Sequence, residues 1–299
     1  MIPIDLVIPM VFPQDPQWQA RYAAASGKSS SANNHVRFRS WGTEELLVRC
    51  CLKYMPWLRT IHILLASESQ VQDWMKPMSN RRNTPKINLV YHRDFIPAQH
   101  LPCFNVNTIE MFLHKIPFVA EHFIYSNDDF FPLSPLAESD FFRDGLPCQH
   151  MTEKPYPTDP NVFHRFVKGG LDMVAADFGK QYTDTWIRGS HSMQPMLRST
   201  VEEVCTRHAD RISKSFSFRR SDRNFNQYIF PYYQHLSGKY VDYEPRHAYV
   251  GPKATTAQVE AYLRKPNLGI VCLNDNESIA DWEQRAAVVR RELAAILER

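Results

Sequence analysis

The sequence predicts an α/β fold, a mainly parallel sheet with a helical cap, and three observations carry that prediction. Short apolar runs alternate with amphipathic segments through the first third of the chain, the pattern of successive β-α-β units. The stretch from about 150 to 250 is less regular and richer in His, Arg, Tyr and Pro, which suits a cap laid on the sheet. With 299 residues, 43% of them hydrophobic and 22% charged, the chain can bury a core of enzyme size. Residues 1–150 are expected to form the α/β core and residues 151–299 the cap and a C-terminal helix, together one compact unit.

The elements follow in order. Ile4 to Ile8 reads as the first strand, and the Ser/Asn-rich stretch from Ser26 to Asn34 as a loop. Gly42 to Tyr54 reads as a helix closed near Pro56, Thr60 to Ala66 as the second strand, Ser69 to Trp74 as the start of a short helix and Ile87 to Tyr91 as the third strand. Asn105 is placed to cap a helix over Val106 to Lys115, whose Ile109, Phe112, Leu113 and Ile116 share one face before Pro117 ends it. Glu121 to Ser126 is then a fourth strand that runs straight into Asn127-Asp128-Asp129-Phe130-Phe131-Pro132. Further helices are predicted at Pro195 to His208 and Asp222 to Tyr233, and Ser278 to Arg299 reads as a periodic helix with a solvated, mixed-charge face.

Composition excludes several classes. The 35 basic and 32 acidic residues are dispersed along the chain and sum to +3, too balanced for a protein built on a nucleic-acid backbone, although phosphate-sized ligands stay open. Apolar runs such as Ile61 to Ala66 fall far short of the roughly 20 residues of a bilayer span, and Met1 to Asp5 lacks a signal-peptide core, so a soluble cytoplasmic protein is expected. Six cysteines without a C-x-x-C pair read as free thiols. The chain carries no G-x-x-x-x-G-K-[ST], G-x-G-x-x-G, G-x-S-x-G or H-E-x-x-H motif, which sets aside classical kinases, P-loop ATPases, Rossmann dehydrogenases and zincins.

Four places are chemically suited to a site. Asp128 and Asp129 follow an apolar strand and should project at the carboxyl end of a parallel sheet, where two hard carboxylates can hold Mg²⁺ or Mn²⁺ or merely form a turn. Asn105 and Glu110 flank a helix start that can receive a diphosphate or simply be capped. His191, one of twelve histidines, can take a proton near neutral pH or serve structure. Arg219 and Arg220 can clamp phosphate oxygens or form a solvated rim.

These residues also carry a resemblance. Arg37-Phe38-Arg39, Pro56-Trp57 before the Ile61 to Leu65 strand, Gln70-Val71-Gln72-Asp73-Trp74, Leu101-Pro102 with Phe104-Asn105, Ile109-Glu110 and Phe123 to Asp129 resemble the second conserved region of the Stealth family, sugar-phosphate transferases of bacterial capsule and cell-wall polysaccharides related to GlcNAc-1-phosphotransferase. His191 with Pro195 is similar to the family's third region, and Phe218 to Asp222 with Asn226 and Tyr228 to a fourth. Where the family's first region reads Trp-Val-Asp-Gly, this chain has Met10-Val11-Phe12-Pro13, losing an acid; Cys103 and Val106 replace Thr and Ser.

The resemblance implies a glycosyltransferase-A-like nucleotide-sugar-binding core, a UDP-sugar donor and a glycan acceptor, with a lipid-linked acceptor at the inner face of the cytoplasmic membrane compatible with it. It implies that Asp128 and Asp129 hold the divalent metal on the donor diphosphate and that His191 acts as general base or stabilises the reacting phosphoryl. Arg219 would neutralise charge, while Arg37, Arg39, Asn105, Glu110, Asn127 and Asp222 would bind substrate. Two other readings use the same residues: a metal-dependent glycosyltransferase that releases UDP, and a catalytically silent sugar-binding subunit suggested by the altered Met10 to Pro13 segment.

Overall fold

Burial alternates along the first strand, and the alternation sets the architecture. In β1 (Ile4–Pro9), Leu6 and Ile8 enter one apolar cluster and Val7 the opposite one, so the sheet is covered on both faces. The computed structural model describes residues 2–26, 38–79, 85–275 and 279–298; residues 27–34 of the expected loop, and Arg37, lie outside the described residues.

After β1 come α1 (Pro16–Ser26), α2 (Glu44–Tyr54), β2 (Thr60–Leu65), α3 (Met75–Ser79), β3 (Lys86–Tyr91), α4 (His92–Phe95), α5 (Val106–Glu110), β4 (His122–Tyr125) and β5 (Phe130–Pro132). The middle of the chain forms β6 (Phe142–Arg143), β7 (Leu146–Gln149), β8 (Met151–Pro155), α6 (Val162–Ala176), β9 (Thr185–Gly189), β10 (Gln194–Leu197), α7 (Arg198–Arg207), α8 (Ala209–Ser215) and α9 (Ile229–Leu236). The last part forms β11 (Val241–Asp242), β12 (His247–Val250), α10 (Thr256–Leu263), β13 (Ile270–Leu273) and α11 (Trp282–Glu298).

The central sheet has the order β10-β4-β1-β2-β3. Strands β1 to β4 run parallel and β10 is antiparallel to β4, which gives the expected α/β fold with a mainly parallel sheet. Helices α6, α7 and α9 cover the face that carries Val7, Leu64, Phe123 and Tyr125, and α2, α11 and the short sheet β12-β13-β5 cover the other. Residues 247–298 thus return to the face opposite the cap, where β13 pairs with β5 and α11 packs on α2.

Several expected boundaries move. Gln194–Leu197 is a strand, not the start of a helix, and Pro195 is tolerated because β10 is the sheet edge; the helix begins at Arg198. The helix expected from Asp222 begins only at Ile229, because side-chain bonds to Asn224 and Glu110 hold residues 221–227 as a loop. The helix after Asn105 ends at Glu110 and a 3-10 turn follows over Leu113–Lys115; that break still buries Ile109, Phe112 and Leu113. The 69–74 segment is a 3-10 turn over Glu68–Gln70 ahead of α3. Helix α11 is not merely solvated on its polar side: Glu292 is buried and takes a bidentate pair from Arg264, at 2.7 and 2.8 Å. The cap also contains the β8–β9 hairpin beside its helices.

Candidate active site

Strands β2 and β3 extend from β1 in one direction and β4 and β10 in the other, so the order reverses between β1 and β4. A crevice at the carboxyl ends of the strands is the consequence. A cavity of about 860 Å³ occupies it, within the range that accommodates a small organic ligand. Pro9, Met10 and Val11 enter it from the end of β1, and Asn127, Asp128 and Asp129 from the end of β4.

The two acids are half-buried in protein. Burial, with the neighbouring charges of Asp129 and Glu44, pushes the Asp128 carboxyl up to about 7, and burial pushes Asp129 up to about 6. Asp129 Oδ2 accepts from Cys272 Sγ at 3.5 Å, whereas its Oδ1 is buried without a partner among the described residues. Its carbonyl accepts from the Leu273 amide at 2.9 Å, so β13 fixes the turn. Adjacent buried acids and an orphaned oxygen make a receptor for positive charge. This donor set fits Mg²⁺ or Mn²⁺, which can take one or two carboxylates and fill the remaining positions from phosphates and water. Among the described residues no three His, Cys, Asp or Glu side chains converge on a metal-sized site.

His191 lies between β9 and β10. Its Nδ1 is 2.7 Å from Tyr228 Oη, and the rings of Phe130 and Tyr249 each lie 5.2 Å from its ring, centroid to centroid. Burial, then the charges of Arg188 and His247, pushes the imidazole down to about 4, so it is neutral at physiological pH. In the tautomer whose Nδ1–H donates to Tyr228 Oη, Nε2 is the nitrogen left to accept a proton.

Helix α5 braces this arrangement. Glu110 is buried, lines the cavity and accepts from Tyr125 Oη at 2.9 Å and from the Gln227 amide at 2.8 Å, which locks the residue next to Tyr228. Burial pushes its carboxyl up to about 7. Asn105 is fully buried and caps α5 through the Asn107 amide at 3.2 Å, while its Nδ2 donates to the Ser217 carbonyl at 3.0 Å and to Asn224 at 3.2 Å. Asn105 therefore holds the 217–224 loop and does not itself line the cavity.

That loop presents Arg220, not Arg219, to the cavity. Arg220 has no hydrogen-bonding or ion-pair partner among the described residues, yet its charge lowers the affinity of Glu110, Asp128 and Asp129 for protons. Asp222 is exposed, 3.7 Å from Arg165, and outside the lining. Arg39 and Asn127 both line the cavity, and Arg39 makes a 2.5 Å ion pair with Asp275 under the stacked Trp41–Trp282 rings. Met10 and Val11 line it too, whereas Phe12, at the position of the family's acid, gives its amide to Gln70 Oε1.

Sequence reasoning did not single out Asn107, Gln227, Cys272 or Tyr249. Their placement rests on long-range contacts, on strand pairing or on a helix boundary, and carries no local signal. Tyr228 was legible only as part of a motif.

Residues 37–149 match the model of Stealth protein CR2, conserved region 2. The capsular polysaccharide phosphotransferase cps1A of Actinobacillus pleuropneumoniae is 30% identical over 312 residues, covering 98% of this chain and 80% of its own. This chain belongs to the Stealth family. A second relative, the receptor polysaccharide phosphotransferase WefC of Streptococcus oralis, is 29% identical over 317 residues, 94% of this chain and 93% of that one. A solved galactosyltransferase, LgtC in complex with donor and acceptor sugar analogs, is similar at a TM-score of 0.44 and 9% identity over 98% of this chain and 95% of its own. Membership makes this Stealth protein an enzyme, a phosphotransferase. The matched region contains Arg39, Asn105, Glu110 and the Asn127 to Asp129 turn, while His191, Arg220 and Tyr228 come from beyond it.

Proposed function

We propose that this Stealth protein transfers a sugar-1-phosphate from a UDP-sugar to a hydroxyl of a glycan acceptor in capsular or cell-wall polysaccharide synthesis. The observation that supports it most is a juxtaposition: two half-buried acids, one with an unpartnered oxygen, share one cavity with a neutral, oriented histidine. Phosphoryl transfer asks for positioning and charge neutralisation more than covalent chemistry, and this inventory supplies both.

Asp128 and Asp129 would hold Mg²⁺ or Mn²⁺, whose chemistry is to neutralise the donor diphosphate and the departing phosphate. His191 Nε2 takes the proton from the acceptor hydroxyl as its oxygen attacks the phosphorus nearer the sugar. The bond from that phosphorus to the bridging oxygen breaks, UMP leaves, and a phosphodiester remains. Tyr228 fixes the imidazole, and Glu110 fixes Tyr228 through the Gln227 amide. Arg220 replaces Arg219 as the cation that faces the developing charge. Arg39, held by Asp275, and Asn127 would contact the donor. No described helix is long and apolar enough to cross a membrane, and we place the protein at the inner face of the cytoplasmic membrane, reached by peripheral contact with a lipid-linked acceptor.

The test is nucleotide release from a panel of UDP-sugars with Mg²⁺ and an envelope glycolipid extract, resolving UMP from UDP. Acceptor-dependent UMP is expected. UDP would mean attack at the anomeric carbon, and UDP-sugar binding that is indifferent to chelation, without turnover, would mean a silent binding subunit.

A further inference from the structure

The short sheet β12-β13-β5 runs past the active site, and its register sets three side chains in one row. Tyr249 is opposite Cys272 across β12 and β13, and Cys272 is opposite Phe130 across β13 and β5. Directly opposed residues project from the same face of a sheet. The contacts of this row all lie on the active-site side: Cys272 Sγ is 3.5 Å from Asp129 Oδ2, and the rings of Phe130 and Tyr249 flank His191 at 5.2 Å each.

The two ends of the row differ. Phe130 is 3% exposed, whereas Tyr249, on the edge strand, is 48% exposed. It is one of five large apolar side chains more than a third exposed among the described residues, and of those five it is the one that packs on His191. An aromatic ring left in water beside the candidate base calls for a partner, and the chemistry at His191 limits what that partner is.

We infer that Tyr249 is the platform on which the acceptor sugar lies, an inference that rests on the reading of His191 as the base for the acceptor hydroxyl. A pyranose has an apolar C–H face and a rim of hydroxyls. Seated flat on Tyr249 it buries the face against the ring and brings a rim hydroxyl toward the imidazole next to it. Pro9, Met10, Val11, Trp18, Phe38 and His191 line the cavity, and Tyr249 stands outside that lining, against the His191 ring.

The experiment measures UMP release at saturating UDP-sugar while an envelope oligosaccharide extract is titrated by total hexose. The half-saturating extract concentration is expected to rise at least tenfold in Tyr249→Ala and in Tyr249→Leu, which keeps apolar bulk but lacks the flat ring, and to stay within twofold in Tyr249→Phe. The KM for the UDP-sugar should be unmoved in all three. If the wild type releases UMP with the extract and the half-saturating concentration is unchanged in both the Ala and Leu variants, the platform is refuted, whatever happens to the maximal rate; a fall in rate alone would show Tyr249 to be packing for His191. If the wild type gives no extract-dependent UMP, the proposed function itself fails and takes this inference with it.

Discussion

At the residue scale, the position of the candidate acids was legible where a strand and its turn are contiguous. Asn127, Asp128 and Asp129 follow the Phe123-Ile124-Tyr125 run of β4 after Ser126, so a single local segment fixes both their sheet position and their charge. Arginine placement was not legible in the same way. The sequence points to Arg219, yet the loop held by Asn105 and Asn224 turns Arg220 into the cavity, and one residue of loop register cannot be read without those long-range bonds. His191 has a sharper consequence. It is already neutral above pH 5, because burial pushes it down to about 4, so it needs no deprotonation to act as a base. His191→Ala is expected to lower acceptor-dependent turnover by at least ~10²-fold. Tyr228→Phe, which keeps the ring but lets the imidazole turn, should cost less; steady-state kcat measured for both checks the order, and near-normal turnover in His191→Ala would remove the base.

At the element scale, the site depends on a strand pair that nothing local announces. Strands β12 and β13 are four residues each, and β13 finds β5 from 140 residues away, which is why sequence periodicity missed a sheet that carries Cys272 and Tyr249. The pair is held where it starts: the Arg246 carbonyl accepts from the amides of Gly269 at 3.0 Å and Ile270 at 2.9 Å. A Cβ on Gly269 would lie 2.6 Å from that carbonyl oxygen and 3.0 Å from Leu136 Cδ2, so backbone must shift. Gly269→Ala is therefore expected to destabilise by about 1–3 kcal/mol, as overpacking typically does, and to lower turnover by displacing the Asp129 turn. Gly169, inside α6, is the control: a Cβ there meets nothing within 4 Å, and Gly169→Ala should stabilise by roughly 0.5–1 kcal/mol. Denaturant unfolding of both variants decides; equal shifts would show that the close approach at Gly269 is not a constraint.

At the scale of the whole molecule, the parallel core was legible because each strand is followed in sequence by the element that covers it, whereas the return of residues 247–298 to the opposite face was not, because only the folded sheet shows which face is still bare. Closing both faces leaves charge at the strand ends, and that charge has a measurable cost. An unfolded aspartate titrates near 3.9, while folding pushes Asp128 up to about 7 and Asp129 up to about 6. Between those values the folded chain keeps protons that the unfolded chain has released, so this contribution is present in full below pH 4 and is lost as pH rises through 6 to 7. Buried histidines such as His92 and His191, both pushed down to about 4, act in the opposite sense, and so the test is a difference between variants. In the presence of a chelator, Asp129→Asn should melt above the wild type at pH 8, with the gap closing at pH 4, because the variant has removed a carboxylate whose charged form is penalised by burial. Mg²⁺ with UDP should then stabilise the wild type and not the variant, by about 2.7 kcal/mol at a hundredfold excess over Kd. If thermal melts show the same gap at both pH values, or equal stabilisation by Mg²⁺ and UDP, the two carboxylates are a turn and not a seat for a cation.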